Sequence, residues 1–191
     1  MGKAFVIILI FFLLVSSVPA NEMAVPVDIQ FRLFLKIIAC DRDLESRFGD
    51  EIKIGIVYQS KFRASLDVKN RLIEVMQESP IKDIEGIPIN YIPIDLGGVS
   101  TLASSISNAG VDILYITPLR ALDVKQISDI SRENRITTLT GIPEYVKDGL
   151  AVGISSKGEK PLIIINLEAA KTEGAKFSSQ LLKLAEIIEG Y

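Results

Sequence analysis

The chain has 191 residues, 48% of them hydrophobic and 24% charged, which excludes a disordered polypeptide. Its 21 Lys and Arg stand against 24 Asp and Glu, with no run of cations, so neither nucleic acid nor anionic lipid is an expected partner. It contains no histidine, which removes the commonest general base, the Ser-His-Asp and Cys-His arrangements, and most zinc and non-haem iron sites.

The amino end reads as an export signal. Lys3 is followed by an apolar run from Ala4 to Val15 and by the small-residue stretch Ser16 to Ala20, with Val18 and Ala20 at −3 and −1 of a cut after Ala20. The competing reading is a membrane anchor, but the uncharged stretch from Ala4 to Ala20 stands at the lower limit for a spanning helix and its last residues are small or polar. No cysteine stands directly after the cut to carry a lipid. Residues 21–191 are then expected to make one α/β domain, since they suffice for a single well-filled core and not for two. Cys40 is the only cysteine; an oxidising compartment permits disulfides, yet one thiol cannot close an internal one, and a small buried hydrophobe at a helix end is the simplest role for it.

Residues 26–39 are predicted helical, with Pro26 in the first turn and Val27, Phe31, Phe34, Leu35 and Ile38 forming one apolar stripe. A charged connection, 41–50, leads to a strand over 52–58. The next helix, 61–78, places Phe62, Leu66, Leu72, Ile73 and Met76 on one side and Arg63, Asp67, Arg71, Glu74 and Glu78 on the other. A strand over 89–94 contains Pro93, which cannot donate to a ladder and so argues for an edge position. Gly97-Gly98 turns the chain into a helix near 99–109. The run 111–116 is apolar on both faces apart from Asp112, as in a parallel sheet covered on both sides. A helix near 122–134 and a strand over 136–140 follow. Segments 150–155 and 161–166 flank a polar turn as a hairpin, and two helices are expected to close the chain, the last presenting Leu181, Leu184, Ala185 and Ile188. Strand and helix alternate four times before the hairpin, the pattern of a doubly wound, mostly parallel sheet with helices on both faces.

No nucleotide-binding glycine motif is present. Asp95 and Glu144 could meet at the carboxyl edge of such a sheet, but a glycosidase-like pair needs a set separation, and nothing else supports catalysis or a cofactor. Open parallel sheets bind partners and ligands at that edge. Here it collects Gln59, Ser60, Asp95, Thr117, Pro118, Gly141 and Glu144 as candidate binding residues, each of which also suits a cap or turn. Asn166 before Leu167-Glu168 reads as a helix cap, and Gly97-Gly98 suits either a simple turn or an anion at a helix start.

Thr138 to Tyr145, Gly149 to Ile154, Ile163 to Ala170 and Ser178 to Ala185, with the aromatic pair Phe31 and Phe34 in the entry helix, resemble the YfiR/HmsC family of small periplasmic proteins. The resemblance implies a non-catalytic periplasmic regulator, without cofactor, that binds the periplasmic sensor region of a membrane-bound diguanylate cyclase or other sensor protein and holds it inactive, possible homodimers included. Family members with paired cysteines use disulfides, which Cys40 alone cannot provide. Gly110 to Pro118 and Ile136 to Val146 are also similar to the solute-binding components of ABC transporters. Those close two lobes around a ligand, and this chain is long enough for one.

Overall fold

In the computed structural model, residues 23–97 and 102–189 are described. The leader and its cut after Ala20, and the Gly98 half of the glycine pair, lie outside them.

The apolar stripe of the entry segment produces α1 (Val27–Ala39), whose Val27, Phe31, Phe34, Leu35 and Ile38 are all buried. Pro26 stands at its N-cap, one residue before the position expected from sequence. The charged connection that follows is not all loop: Leu44–Phe48 forms α2, anchored by buried Leu44 and Phe48. The chain continues through β1 (Ile52–Tyr58), α3 (Arg63–Glu78), the two-residue β2 (Asp83–Ile84), β3 (Ile87–Asp95), α4 (Leu102–Ala109), β4 (Ile113–Ile116), α5 (Val124–Asn134) and β5 (Thr137–Thr140). A short helix, α6 (Pro143–Lys147), leads to the hairpin β6 (Val152–Lys157) and β7 (Lys160–Asn166). The end is α7 (Leu167–Thr172), α8 (Ser179–Leu184) and β8 (Glu186–Ile188).

The eight strands form one sheet in the order β2-β3-β1-β4-β5-β6-β7-β8. From β3 to β6 all neighbours run parallel; β2 is antiparallel to β3 and β7 to β6, and β8 runs parallel to β7. Alternation along the strands feeds two cores. Ile54, Ile56, Ile113, Tyr115 and Leu139 face α1 and α3, whereas Val57, Leu114 and Ile116 face α4, α5 and α6. Each fully buried Ile or Leu of these layers contributes about 1.5–3 kcal/mol of transfer free energy. Gly55 is required by the second layer: a Cβ there would stand 2.8 Å from both Ile94 Cδ1 and Leu114 Cδ2.

Two expectations are corrected. The segment after Leu184 is not helix. Ala185 adopts extended angles, Leu184 is 75% exposed, and Glu186, Ile187 and Ile188 pair in parallel with Ile164, Ile165 and Asn166. Occupying the open edge of β7 gives that strand hydrogen bonds that a longer helix would have left unmade. Cys40, the C-cap of α1, is half-buried and not fully enclosed. The edge reading of Pro93 holds: β2 pairs only with Ile87 and Pro88, so β3 has no outer partner at Pro93. Ile89 N–H donates outward to Lys82 and Leu96 N–H inward to Tyr58, so by alternation the missing donor of Pro93 is on the outer side.

Candidate functional site

Sheet order reverses between β1 and β4, because the chain goes from β1 outward to β3 and then crosses back to β4. The crevice beyond their carboxyl ends is where doubly wound sheets accept ligands. It measures about 300 Å³ and is walled by the segment Gln59 to Phe62, by Leu96 and Gly97, and by Arg120 and Ala121.

Most polar groups there bond to one another. Gln59 Oε1 accepts from the Arg120 backbone N–H at 2.8 Å, and its Nε2 donates to the Arg120 carbonyl at 3.1 Å, clamping the two loops across the crevice. Thr117 Oγ1 donates to the Val57 carbonyl at 2.8 Å. Its one hydrogen is thereby used, so the buried Ser65 Oγ, 2.6 Å away, donates to it and accepts from Gln59 N–H at 2.8 Å. Ser60 N–H donates to Asp95 Oδ1 at 3.0 Å. Partial burial, and then the nearby Asp95, raise the pKa of the Tyr58 phenol. Pro118 is buried, and beyond it Tyr145 OH bridges both the N–H and the carbonyl of Leu119, at 3.0 and 3.3 Å.

A second neutral lattice lies on the α1 face of the same edge. Gln30 is fully buried, donates to the Val25 carbonyl at 2.6 Å and accepts from Tyr115 OH at 2.9 Å. Burial pushes the Tyr115 phenol well above its ordinary range, so it stays a neutral donor. Gly141 is necessary beneath it: an added Cβ would stand 2.3 Å from Gln30 Oε1.

The structure therefore brings Gln59, Ser60, Asp95 and Thr117 together, puts Gly141 under α1, and leaves Glu144 exposed on α6. Asp95 and Glu144 do not converge. They follow β3 and β5, three strand spacings or about 14 Å apart, beyond the reach of an acid–base pair acting on one bond. Sequence reasoning missed Ser65, Tyr145, Arg120 and Gln30. Only Gln30 had a readable signal, as a lone amide in the apolar stripe of α1. With these bonds made, the side-chain groups that bond to nothing among the described residues at this rim include the exposed Lys61, Arg120 and Ser60, half-buried Phe62 and the second oxygen of Asp95. Among the described residues no cluster of three metal-ligating side chains occurs, and no helix is long and apolar enough to cross a membrane.

Three solved structures share this fold. A ligand-free, open substrate-binding protein with adhesive properties from Clostridium difficile superposes with a TM-score of 0.60 and 18% identity, covering 87% of this chain and 61% of its own. An ABC domain in complex with L-Trp from Streptococcus pneumonia gives 0.59 and 12%, covering 85% and 62%. A conserved domain protein from Vibrio cholerae gives 0.57 and 13%, covering 85% and 60%. The chain thus spans about three fifths of the length of each of these structures. No curated protein matches it. The family model described as YfiR/HmsC-like matches residues 45–186.

Proposed function

Because the chain belongs to the YfiR/HmsC-like family, we propose that residues 21–191 act as a non-catalytic periplasmic regulator that docks on the sensor region of a membrane receptor and restrains it, the receptor being a diguanylate cyclase. The family match carries this reading. The carboxyl edge supports it: Gln59, Ser65, Thr117 and Tyr145 bond inward, so little donor or acceptor capacity is left to enclose a small solute. Facing outward are Arg120 and Phe62, residue types that anchor protein interfaces, with Lys61, the Ser60 hydroxyl and the second Asp95 carboxylate oxygen around them. The restraint itself requires that binding favour one receptor conformation over another.

The test is recovery of the receptor's periplasmic domain from solubilised membranes by the mature chain, repeated with Lys61→Glu/Arg120→Glu. Wild-type protein should retain the receptor and the charge-reversed variant should lose it. Failure of the wild type to retain any sensor protein rejects the reading. The competing role, a single-lobe solute-binding component, demands a saturable rise in Tm with a small solute at the crevice, abolished by the same double variant.

A further inference from the structure

The opposite pole of the sheet, at the amino ends of the strands, holds an open cavity of about 420 Å³. Its lining includes three cations, Arg47, Arg135 and Lys176, and two acids, Asp43 and Asp112. Four of these five are already committed. Lys176 pairs with Asp43. Asp112 Oδ2 accepts from Lys53 N–H at 2.8 Å. Arg47 pairs through Nη1 with Asp41, and its Nη2 donates to Thr137 Oγ1 at 2.8 Å and to the Glu173 carbonyl at 3.3 Å.

Arg135 is different. Its side chain takes part in no hydrogen bond or ion pair among the described residues, and its backbone sits at φ 58°, a left-handed position where glycine is the usual occupant. Its exposed guanidinium nevertheless lies close to that of Arg47. A Cβ built on Gly174 would lie 3.4 Å from Arg135 Nε and 3.6 Å from Arg47 Nε, so the two like charges stand within about 7 Å of each other across a glycine floor. Arg47 Nε is not among the atoms spent on Asp41, Thr137 and Glu173. The two guanidiniums, one with no acid partner and one with a donor to spare, leave N–H donors around the same glycine for an oxyanion to accept.

We propose that this cavity is a binding site for a small oxyanion, a carboxylate or phosphate group held between Arg135 and Arg47, with Gly174 providing the room. Guanidinium groups suit either chemistry because their planar donors match the oxygens of both. The site is separate from the carboxyl-edge crevice and does not depend on the regulatory reading.

The test is calorimetric titration and thermal unfolding of the full mature chain with inorganic phosphate and with succinate, at ionic strength held constant with NaCl. Saturable binding of either, with a matching rise in Tm, is expected, and whichever binds identifies the anion. Arg135→Gly should keep or raise the Tm in NaCl alone, since glycine relaxes the backbone, yet weaken binding at least tenfold; Arg135→Gln, which keeps a polar side chain but removes the charge, should weaken it equally. Absence of saturable binding by both anions, or affinity unchanged in both variants, overturns the proposal.

Discussion

The two poles of the sheet are stabilised by different chemistry. At the carboxyl edge most bonds are neutral, amide to backbone, hydroxyl to hydroxyl and phenol to amide, with the Ser60 N–H to Asp95 bond the charged exception. At the amino pole they involve charge. Arg47 joins Asp41, Thr137 and the Glu173 carbonyl, and the fully buried Glu173 carboxyl accepts from Thr138 N–H at 2.7 Å and from Thr138 Oγ1 at 2.9 Å. Burial pushes the Glu173 carboxyl up to about 8 against the opposing pull of the Thr138 bonds and of Arg132 and Arg47. The amino pole therefore holds a buried group that titrates near neutral pH.

The largest effect is expected from breaking the charged pole. Arg47→Met leaves Asp41, with 2% of its side chain exposed, as an uncompensated buried charge. A loss of about 3–5 kcal/mol in urea unfolding is expected; a loss below 1 kcal/mol would mean that the pole is solvated. At the neutral pole Gly141→Ala drives a methyl into Gln30 and strands the Val25 carbonyl and Tyr115 OH. That should cost about 3 kcal/mol, and the companion Gln30→Ala should recover part of it in a double-mutant cycle.

The contrast in pH response is sharpened by Glu173→Gln. With a folded pKa near 8 and an ordinary unfolded one, the native chain keeps a proton that the unfolded chain has released. The contribution is therefore complete below the unfolded value and disappears as pH rises through 8. Between pH 6 and 8 the wild type should lose about 2 kcal/mol, following a slope of about 1.4 kcal/mol per unit, and the variant should be flat over that interval. Equal slopes in the two proteins would remove Glu173 as the source. Smallest is Tyr145→Phe, which deletes the bridge to Leu119 and should cost about 1 kcal/mol without pH dependence.

Periodicity made the layered sheet legible, because burial of Ile54, Ile56, Val57 and Ile113 to Ile116 requires the apolar runs visible in the chain. α2 and α6 were not legible, since five residues give too few turns to show a period. The tail misled for a different reason. Leu181, Leu184, Ala185 and Ile188 do fit a helical face, but the vacant side of β7 outcompeted it, a contact between distant parts of the chain that no local pattern carries. Strand ends read from the sequence put Gln59, Ser60, Asp95 and Thr117 near one another, as they lie, whereas Gly141 sits under α1 and Glu144 stands apart on α6. Ser65 and Arg120, the partners of Thr117 and Gln59, and the Tyr145 bridge to Leu119 were not legible, because a hydroxyl on a helix or a loop carbonyl looks the same in sequence whether or not it is engaged.

Pro93 bears on how molecules of this protein behave in a crowded solution. A foreign strand that tried to extend the sheet beyond β3 would find one rung of the ladder without a hydrogen to offer, on the stretch that β2 leaves uncovered. Such a gap discourages cross-chain stacking and amyloid-like growth from that flank. Replacement of this one imino acid by valine would make the flank continuous, at the expense of solubility rather than of the fold.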